Sequence, residues 1–252
     1  MEITVLSSGS KGNATYIKIN NSHILIDIGI TNTSLTNKLS EINITPNSIN
    51  YLLITHTHKD HILGLEVFLK RYNPIIISSK NNIKELRVKY NIEKYLIIED
   101  NLYIKGIDIT LLQASHDTVD CIGFLLEYEE DSVVYITDTG YINKKVLDII
   151  YNKNIYMIES NYDSNMLLEG NYPHYLKMRI VSDTGHLDNT QTSRYLKKII
   201  GPSTKKVVLL HLSEDNNKED IAYENVMNML KKTPYTMEVI IANRYQIKEV
   251  VK

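Results

Sequence analysis

Cysteine is almost absent from this chain: Cys121 is the single one in 252 residues. An internal disulfide is therefore excluded, and the chain fits a reducing compartment, the cytoplasm. Tryptophan is missing altogether, and the bias towards Asn, Ile, Lys and Tyr fits an AT-rich coding sequence and carries no chemistry. Pro, Gly and Ser nowhere cluster into a linker, and no low-complexity segment or sequence repeat is present. Excess charge of one sign is lacking too. The formal net charge is −2, so there is no global basic field, and any contact with nucleic acid must come from a local patch. No window reaches the ~18 apolar residues of a membrane span. The chain opens Met1-Glu2-Ile3-Thr4-Val5, straight into a strand pattern, where a secretory leader would show a charged start and an apolar stretch.

What is present is ordinary in amount. The hydrophobic fraction is 43% and the charged fraction 23%, as in a typical globular protein. The length suits one domain, residues 1–252, with a large core. Short segments rich in β-branched residues read as strands over 3–6, 15–19, 24–27, 51–55 and 74–78, with helices over 35–42 and 62–71. A second run follows, with strands over 102–104, 107–113, 122–128, 133–137 and 155–159 and a helix over 141–151. Helices over 172–182, 189–200 and 215–231 then alternate with strands over 207–211 and 239–241. Strands followed by helices, twice over, predict an α+β chain of two sheets packed face to face with helices outside. The pattern does not by itself select a topology.

The chemistry concentrates in Thr55-His56-Thr57-His58-Lys59-Asp60-His61, directly after the apolar run Tyr51-Leu52-Leu53-Ile54. A strand projects alternate residues to one side, so His56 and His58 can converge on one point. Asp60 and His61 follow where the chain turns towards a helix, which can aim them at a second point. Two imidazoles beside an imidazole–carboxylate pair suit two borderline divalent metals, zinc or manganese, with iron as a further option. A histidine-rich surface loop is the plain alternative. It is disfavoured because crowded imidazoles repel when protonated. Further ligands must complete the coordination. His116, Asp138 and His211 each stand just beyond an apolar strand, where a metal site at one rim of a sheet needs them. Taken singly, each would pass for a surface histidine or a turn aspartate.

The string 55–61 closely resembles the HxHxDH signature of the metallo-β-lactamase superfamily, and His116, Asp138 and His211 match its remaining ligand positions in order and setting. The resemblance implies an αββα sandwich over the whole chain. It implies one metal on His56, His58 and His116, a second on Asp60, His61 and His211, and Asp138 bridging the two. Four more segments narrow the match: Ser8-Gly9-Ser10-Lys11-Gly12-Asn13-Ala14, Glu159-Ser160-Asn161, Asp183-Thr184-Gly185-His186-Leu187-Asp188-Asn189, and His211-Leu212-Ser213-Glu214-Asp215-Asn216-Asn217. Together they resemble the WalJ (YycJ) family, small relatives of tRNase Z and RNase J regarded as metal-dependent DNA exonucleases. Asp188 departs from the Gly-His-Leu-Ser-Asn form, and its negative charge is expected to weaken phosphate affinity there.

The expected activity is a dinuclear phosphodiesterase, a 5′→3′ DNA exonuclease acting on single strands or ends. Two metals about 3.5–4 Å apart hold a bridging hydroxide at neutral pH and clamp a phosphate oxygen. Asp60 is expected to shuttle a proton besides ligating. His186, outside the ligand set and just before a helix start, is expected to act on the leaving group and to clamp phosphate with the helix N-terminus. Asp188 or Asn189 would cap that helix. Ser8, Ser10, Asn13, Arg179 and Asn189 are candidate substrate-phosphate contacts, Glu159 a candidate orienter of a ligand histidine, and Cys121 structural. The competing reading is a carbonyl hydrolase acting on a thioester, lactone or β-lactam, since the same cage serves both chemistries. A small cyclic phosphodiester is a further alternative substrate. His211 follows Asp138 by only 73 positions, too few for the β-CASP insertion of RNase J.

Overall fold

Three strands open the chain as an antiparallel meander: β1 (Glu2–Ser7), β2 (Ala14–Ile19) and β3 (Ser22–Ile26). The computed structural model describes residues 1–252. Ile3, Val5, Ile17, Ile24 and Ile26 are fully buried, and so are Leu6 and Leu25 on the opposite pleat. These strands therefore bury both faces, which is why they read as apolar runs instead of alternating. From β3 onward the sheet turns parallel. Helix α1 (Asn32–Glu41), capped by Thr31, carries the chain past the one-turn 3-10 segment Pro46–Ser48 to β4 (Tyr51–Leu53). Helices α2 (Lys59–Ile62) and α3 (Leu65–Arg71) lead to β5 (Ile75–Ser78), and α4 (Lys80–Lys89), capped by Ser79, leads to β6 (Tyr95–Ile97). The order is β14-β1-β2-β3-β4-β5-β6, with the last strand of the chain, β14 (Lys248–Val251), antiparallel to β1.

β7 (Asn101–Ile104) turns through Lys105 and Gly106, both at positive φ, into β8 (Ile107–Ala114). A second meander follows, β8, β9 (Cys121–Tyr128) and β10 (Asp131–Ile136). Three parallel strands then succeed one another. Helix α5 (Lys144–Ile149) leads to β11 (Ile155–Glu159). Helices α6 (Ser164–Glu169), α7 (His174–Ile180) and α8 (Asn189–Ile199) lead to β12 (Lys206–Leu210). Finally α9 (Glu219–Leu230) leads to β13 (Glu238–Ile241). The order in this region is β13-β12-β11-β10-β9-β8.

The residues group into two compact units, Met1–Ile107 with Thr118–Asp120 and Ala242–Lys252, and Asp108–Asp117 with Cys121–Ile241. Each has a core of its own. In the first, Leu35, Leu39, Leu65, Phe68, Ile83 and Leu86 of the helices pack with Leu25, Leu52 and Ile76 of the sheet. In the second, Val146, Leu196, Ile199, Val226 and Leu230 pack with Val134, Tyr156, Val207 and Leu209. Two mixed sheets flanked by helices is the α+β class that the patterning predicts.

The boundaries differ in places. The predicted helix 62–71 is broken at Gly64, whose amide donates to the Ile28 carbonyl and where a Cβ would collide with the Ile30 carbonyl. The helix predicted from Asp215 starts only at Glu219. Helices α4 and α6 and strands β6 and β14 were not expected from the pattern.

Candidate metal centre

In the first unit β4 stops at Leu53, so His56 and His58 lie on extended chain beyond the strand and not on its pleat. Their rings still meet, edge to face, with centroids 4.8 Å apart. His58 is the N-cap residue of α2, and that single helical turn swings His61 back until its ring lies 4.1 Å from His56. The Asp60 carboxylate is 3.4 Å from His61 Nε2. His56 and His61 are fully buried. The first unit thus brings His56, His58, Asp60 and His61 together.

The loop is braced from behind by residues the pattern did not single out. Asp27, fully buried at the end of β3, accepts from the Thr55 amide at 2.9 Å and the Thr55 hydroxyl at 2.8 Å, and stands 2.8 Å from His61 Nδ1. Helix α4 adds Asn82, which donates to the Thr55 carbonyl, and Glu85, which accepts from the Thr57 hydroxyl. Asn13 carries a further tie. Its backbone amide donates to the Asp60 carbonyl, and its side-chain amide lies 3.1 Å from His61 Nε2. A carboxylate on Nδ1 and an N–H on Nε2 fix one tautomer, with the proton on Nδ1 and the lone pair on Nε2. Metal-ligating histidines are oriented in this way. Burial raises the Asp27 carboxyl pKa, against the lowering pull of His61 and Thr55. Of the candidate phosphate contacts in this unit, Ser8 is buried, Ser10 is exposed, and Asn13 is engaged with the histidine loop and with the Gly9 amide.

In the second unit His116, Asp138, Glu159 and His211, at or just past strand ends, gather with His186 from the loop between α7 and α8. One Asp138 oxygen lies 3.9 Å from His116 Nε2, 3.8 Å from His186 Nδ1 and 3.6 Å from His211 Nε2. His116 Nδ1 faces the Gly185 carbonyl at 3.1 Å. A carbonyl only accepts, so Nδ1 holds the proton and Nε2 presents its lone pair. Burial lowers the His116 pKa, which favours that neutral ring. Glu159 takes part in four contacts. Oε1 lies 2.7 Å from His186 Nδ1 and 2.9 Å from His211 Nδ1, while Oε2 accepts from the amides of Thr139 and Leu187. Burial alone would raise its pKa; the two imidazoles overcome that and hold it down at about 2. Asp27 faces a single imidazole, and there burial prevails. Asn161 lies 3.2 Å from His211 Nδ1 and donates to the His211 carbonyl. Cys121 is buried at the start of β9, its thiol donating to the Asp138 carbonyl.

Three further expectations meet a definite geometry. Asp188 caps α8 in a reciprocal box with Gln191, and it also accepts from Ser164. The Leu187 amide donates to Glu159, the Asn189 amide to the Tyr162 carbonyl, and the Gln191 and Thr192 amides to Asp188. Asn189 is buried, its side chain occupied by Ser160 and Asn217. Arg179 is half exposed and bonded to Asp117 at 2.5 Å. The remaining histidines stand apart: His23 pairs with Tyr16, and His174 is exposed on α7.

The donor chemistry fits divalent metals. Imidazoles held by a carboxylate or carbonyl on Nδ1 present Nε2, and carboxylates stand beside them in both units. In the second unit Asp138, Glu159, His186 and His211 place one ligand-type atom each within 4.8 Å of one another.

Residues 8–211 match the metallo-beta-lactamase superfamily. The chain is 32% identical over 234 residues to Exodeoxyribonuclease WalJ of Streptococcus pneumoniae, covering 90% of this chain and 87% of that one. It is 32% identical over 238 residues to Exodeoxyribonuclease YycJ of Bacillus anthracis, covering 92% and 89%. Among solved structures, the metallo-beta-lactamase fold protein YhfI from Bacillus subtilis aligns with a TM-score of 0.74 at 17% identity, over 98% of this chain and 99% of that one. The short form of human tRNase Z aligns with a TM-score of 0.68 at 13% identity, over the whole of both chains. The chain therefore belongs to the metallo-β-lactamase superfamily and, within it, to the WalJ/YycJ family.

Proposed function

We propose that this protein is a metal-dependent phosphodiesterase that shortens DNA from its ends, 5′→3′ and preferentially on single strands. The names of the WalJ and YycJ relatives support the substrate. The family match runs through both units and supports reading residues 1–252 as one domain. In this reading His56, His58 and His116 hold one divalent metal, zinc or manganese, Asp60, His61 and His211 hold a second, and Asp138 is shared. The order of these residues along the chain supports that assignment. The single cysteine supports a place in the reducing cytoplasm.

When bound, the two ions lower the pKa of a water and polarise a phosphoryl oxygen. The rest falls to side chains. Asp60 takes the proton of the attacking water. His186 gives a proton from Nε2 to the departing sugar oxygen, its Nδ1 held by Glu159 and the positive charge of the ring balanced by that buried carboxylate. Asp27 and Glu159 keep the ligand histidines in one tautomer.

The carrying observation is the Glu159 carboxylate against Nδ1 of both His186 and His211. It ties a ligand-type ring to a ring outside the proposed ligand set, which suits a leaving group that needs protonation. A thioester, whose thiolate departs without a proton, has less need of such a pair. The test uses manganese-loaded protein on 5′- and 3′-labelled single- and double-stranded DNA, beside bis-p-nitrophenyl phosphate, a thioester and a lactam. Stepwise shortening of DNA is expected. His186→Ala should lower it about 10²–10⁴-fold and affect bis-p-nitrophenyl phosphate far less, because nitrophenolate leaves without a proton. Carbonyl hydrolysis with no phosphodiester turnover would overturn the assignment.

A further inference from the structure

The second unit contains a cavity of about 560 Å³ between α6 and α7. Tyr162, Leu167, Tyr172 and Met178 line it, and His174 and Lys177 bring polar and cationic groups to the same wall. Its surroundings are unusually apolar for a surface: Leu168, Tyr175, Met178 and Val181, all on or beside these two short helices, are exposed. Aromatic and aliphatic walls with a few hydrogen-bonding groups are what a flat organic ring needs, and the volume suits a nucleotide.

Its position in the chain ties it to the histidine cluster at two points. Tyr162 directly follows Asn161, which bonds the His211 backbone and lies against its ring. The Ile180 carbonyl, at the end of α7, accepts from the His186 amide, and the Gly185 carbonyl faces His116. One end of the cavity wall is thus continuous with the backbone that holds His116, His186 and His211.

We infer that this cavity receives a nucleobase of a single-stranded DNA end, next to the phosphodiester that is cleaved. The inference rests on the phosphodiesterase reading and adds a recognition element to it. Stacking on tyrosine tolerates any base, because every base offers a π-face, so the cavity would grip without reading sequence. The chain has no basic field to hold DNA by charge, and an aromatic site near the reacting phosphate supplies affinity that salt does not screen.

The test pairs a change in the protein with a change in the substrate. Tyr172→Leu and Met178→Ala alter the cavity without touching the histidines. Each is compared with wild type on a short single-stranded oligonucleotide carrying a base, or an abasic residue, at the two terminal positions. Binding is read by fluorescence anisotropy on chelator-treated protein, and turnover on the manganese-loaded protein. Wild type is expected to bind and cleave the intact end about tenfold or more better than the abasic end, and the variants should show little preference. All should hydrolyse bis-p-nitrophenyl phosphate alike. Equal loss on the abasic end in wild type and variants, or parallel loss on the small ester, would overturn the nucleobase site and leave the activity standing. Ester hydrolysis without any DNA shortening would overturn the DNA reading and this site with it. A concentration-dependent dimer that Met178→Ala dissociates, with base preference unchanged, would reassign the surface to a second copy of the chain.

Discussion

Glu159 is the residue on which most of the second unit's site depends. Its two oxygens meet four nitrogens, those of His186, His211, Thr139 and Leu187. A carboxylate has about four lone-pair sites, so all are used. Glu159→Gln keeps the shape but turns one oxygen into an NH₂ facing N–H donors. Each donor left unpaired costs about 1–3 kcal/mol, so the melting temperature should fall, and metal affinity by chelator competition should drop about 10–100-fold. An unchanged metal affinity would remove Glu159 from its orienting role. Asp27→Asn should show a milder form of the same loss through His61. Backbone conformation adds a second constraint. Asp27, Asp138 and His211 sit at positive φ, 59°, 54° and 56°, a region that asparagine and aspartate tolerate and β-branched residues do not. Asp138→Asn should therefore remain folded while losing metal, and Asp138→Val should lose both metal and stability. A calorimetric scan beside metal analysis separates the two.

At the scale of elements, the histidine–aspartate cluster was legible because residues just past strand ends gather at one rim of a sheet, and strand ends show as apolar runs. His116, Asp138 and His211 each follow one. What braces them was not legible. Asp27 and His61 lie 34 positions apart and meet only because β3 and β4 pair in parallel. Helix α4 carries just Ile83 and Leu86 as buried apolar residues, too few for a periodic stripe, and buries the polar Asn82 instead. Of the two caps the sequence offers for α8, Asp188 and Asn189, the fold uses Asp188. Asp188→Ala should cost about 1 kcal/mol in chemical denaturation, while Asp188→Ser should cost close to nothing. Gly29 marks a place where two segments touch: its amide donates to the Asn13 carbonyl, and a Cβ would overlap the Asp60 carbonyl. Gly29→Ala should displace the 58–61 turn and abolish metal retention, read by the metal content of the folded fraction.

Across the whole molecule the sheet plan occurs twice. In each unit an antiparallel meander of three strands passes into three parallel strands linked by helices. The sequence carries strands-then-helices twice but no repeat, so the duplication shows in hydrogen-bonding pattern and not in residue identity. The aspartates at the ends of the third meander strands, Asp27 and Asp138, share the same left-handed turn. No helix is long and apolar enough to cross a membrane. Removing metal should lower the stability of the entire chain. A ligand at a hundred times its dissociation constant stabilises by about 2.7 kcal/mol, which for this length is roughly 5–10 °C in melting temperature. A chelator scan showing no shift would argue against a resident metal.

The thiol of Cys121 closes against the Asp138 carbonyl, and the chain has no other. The protein therefore carries a built-in reporter. A thiol reagent can react only when the ends of β9 and β10 separate, so the labelling rate is a stopwatch on local opening beside Asp138. Saturating metal should slow that clock, and Asp138→Asn should make it indifferent to metal.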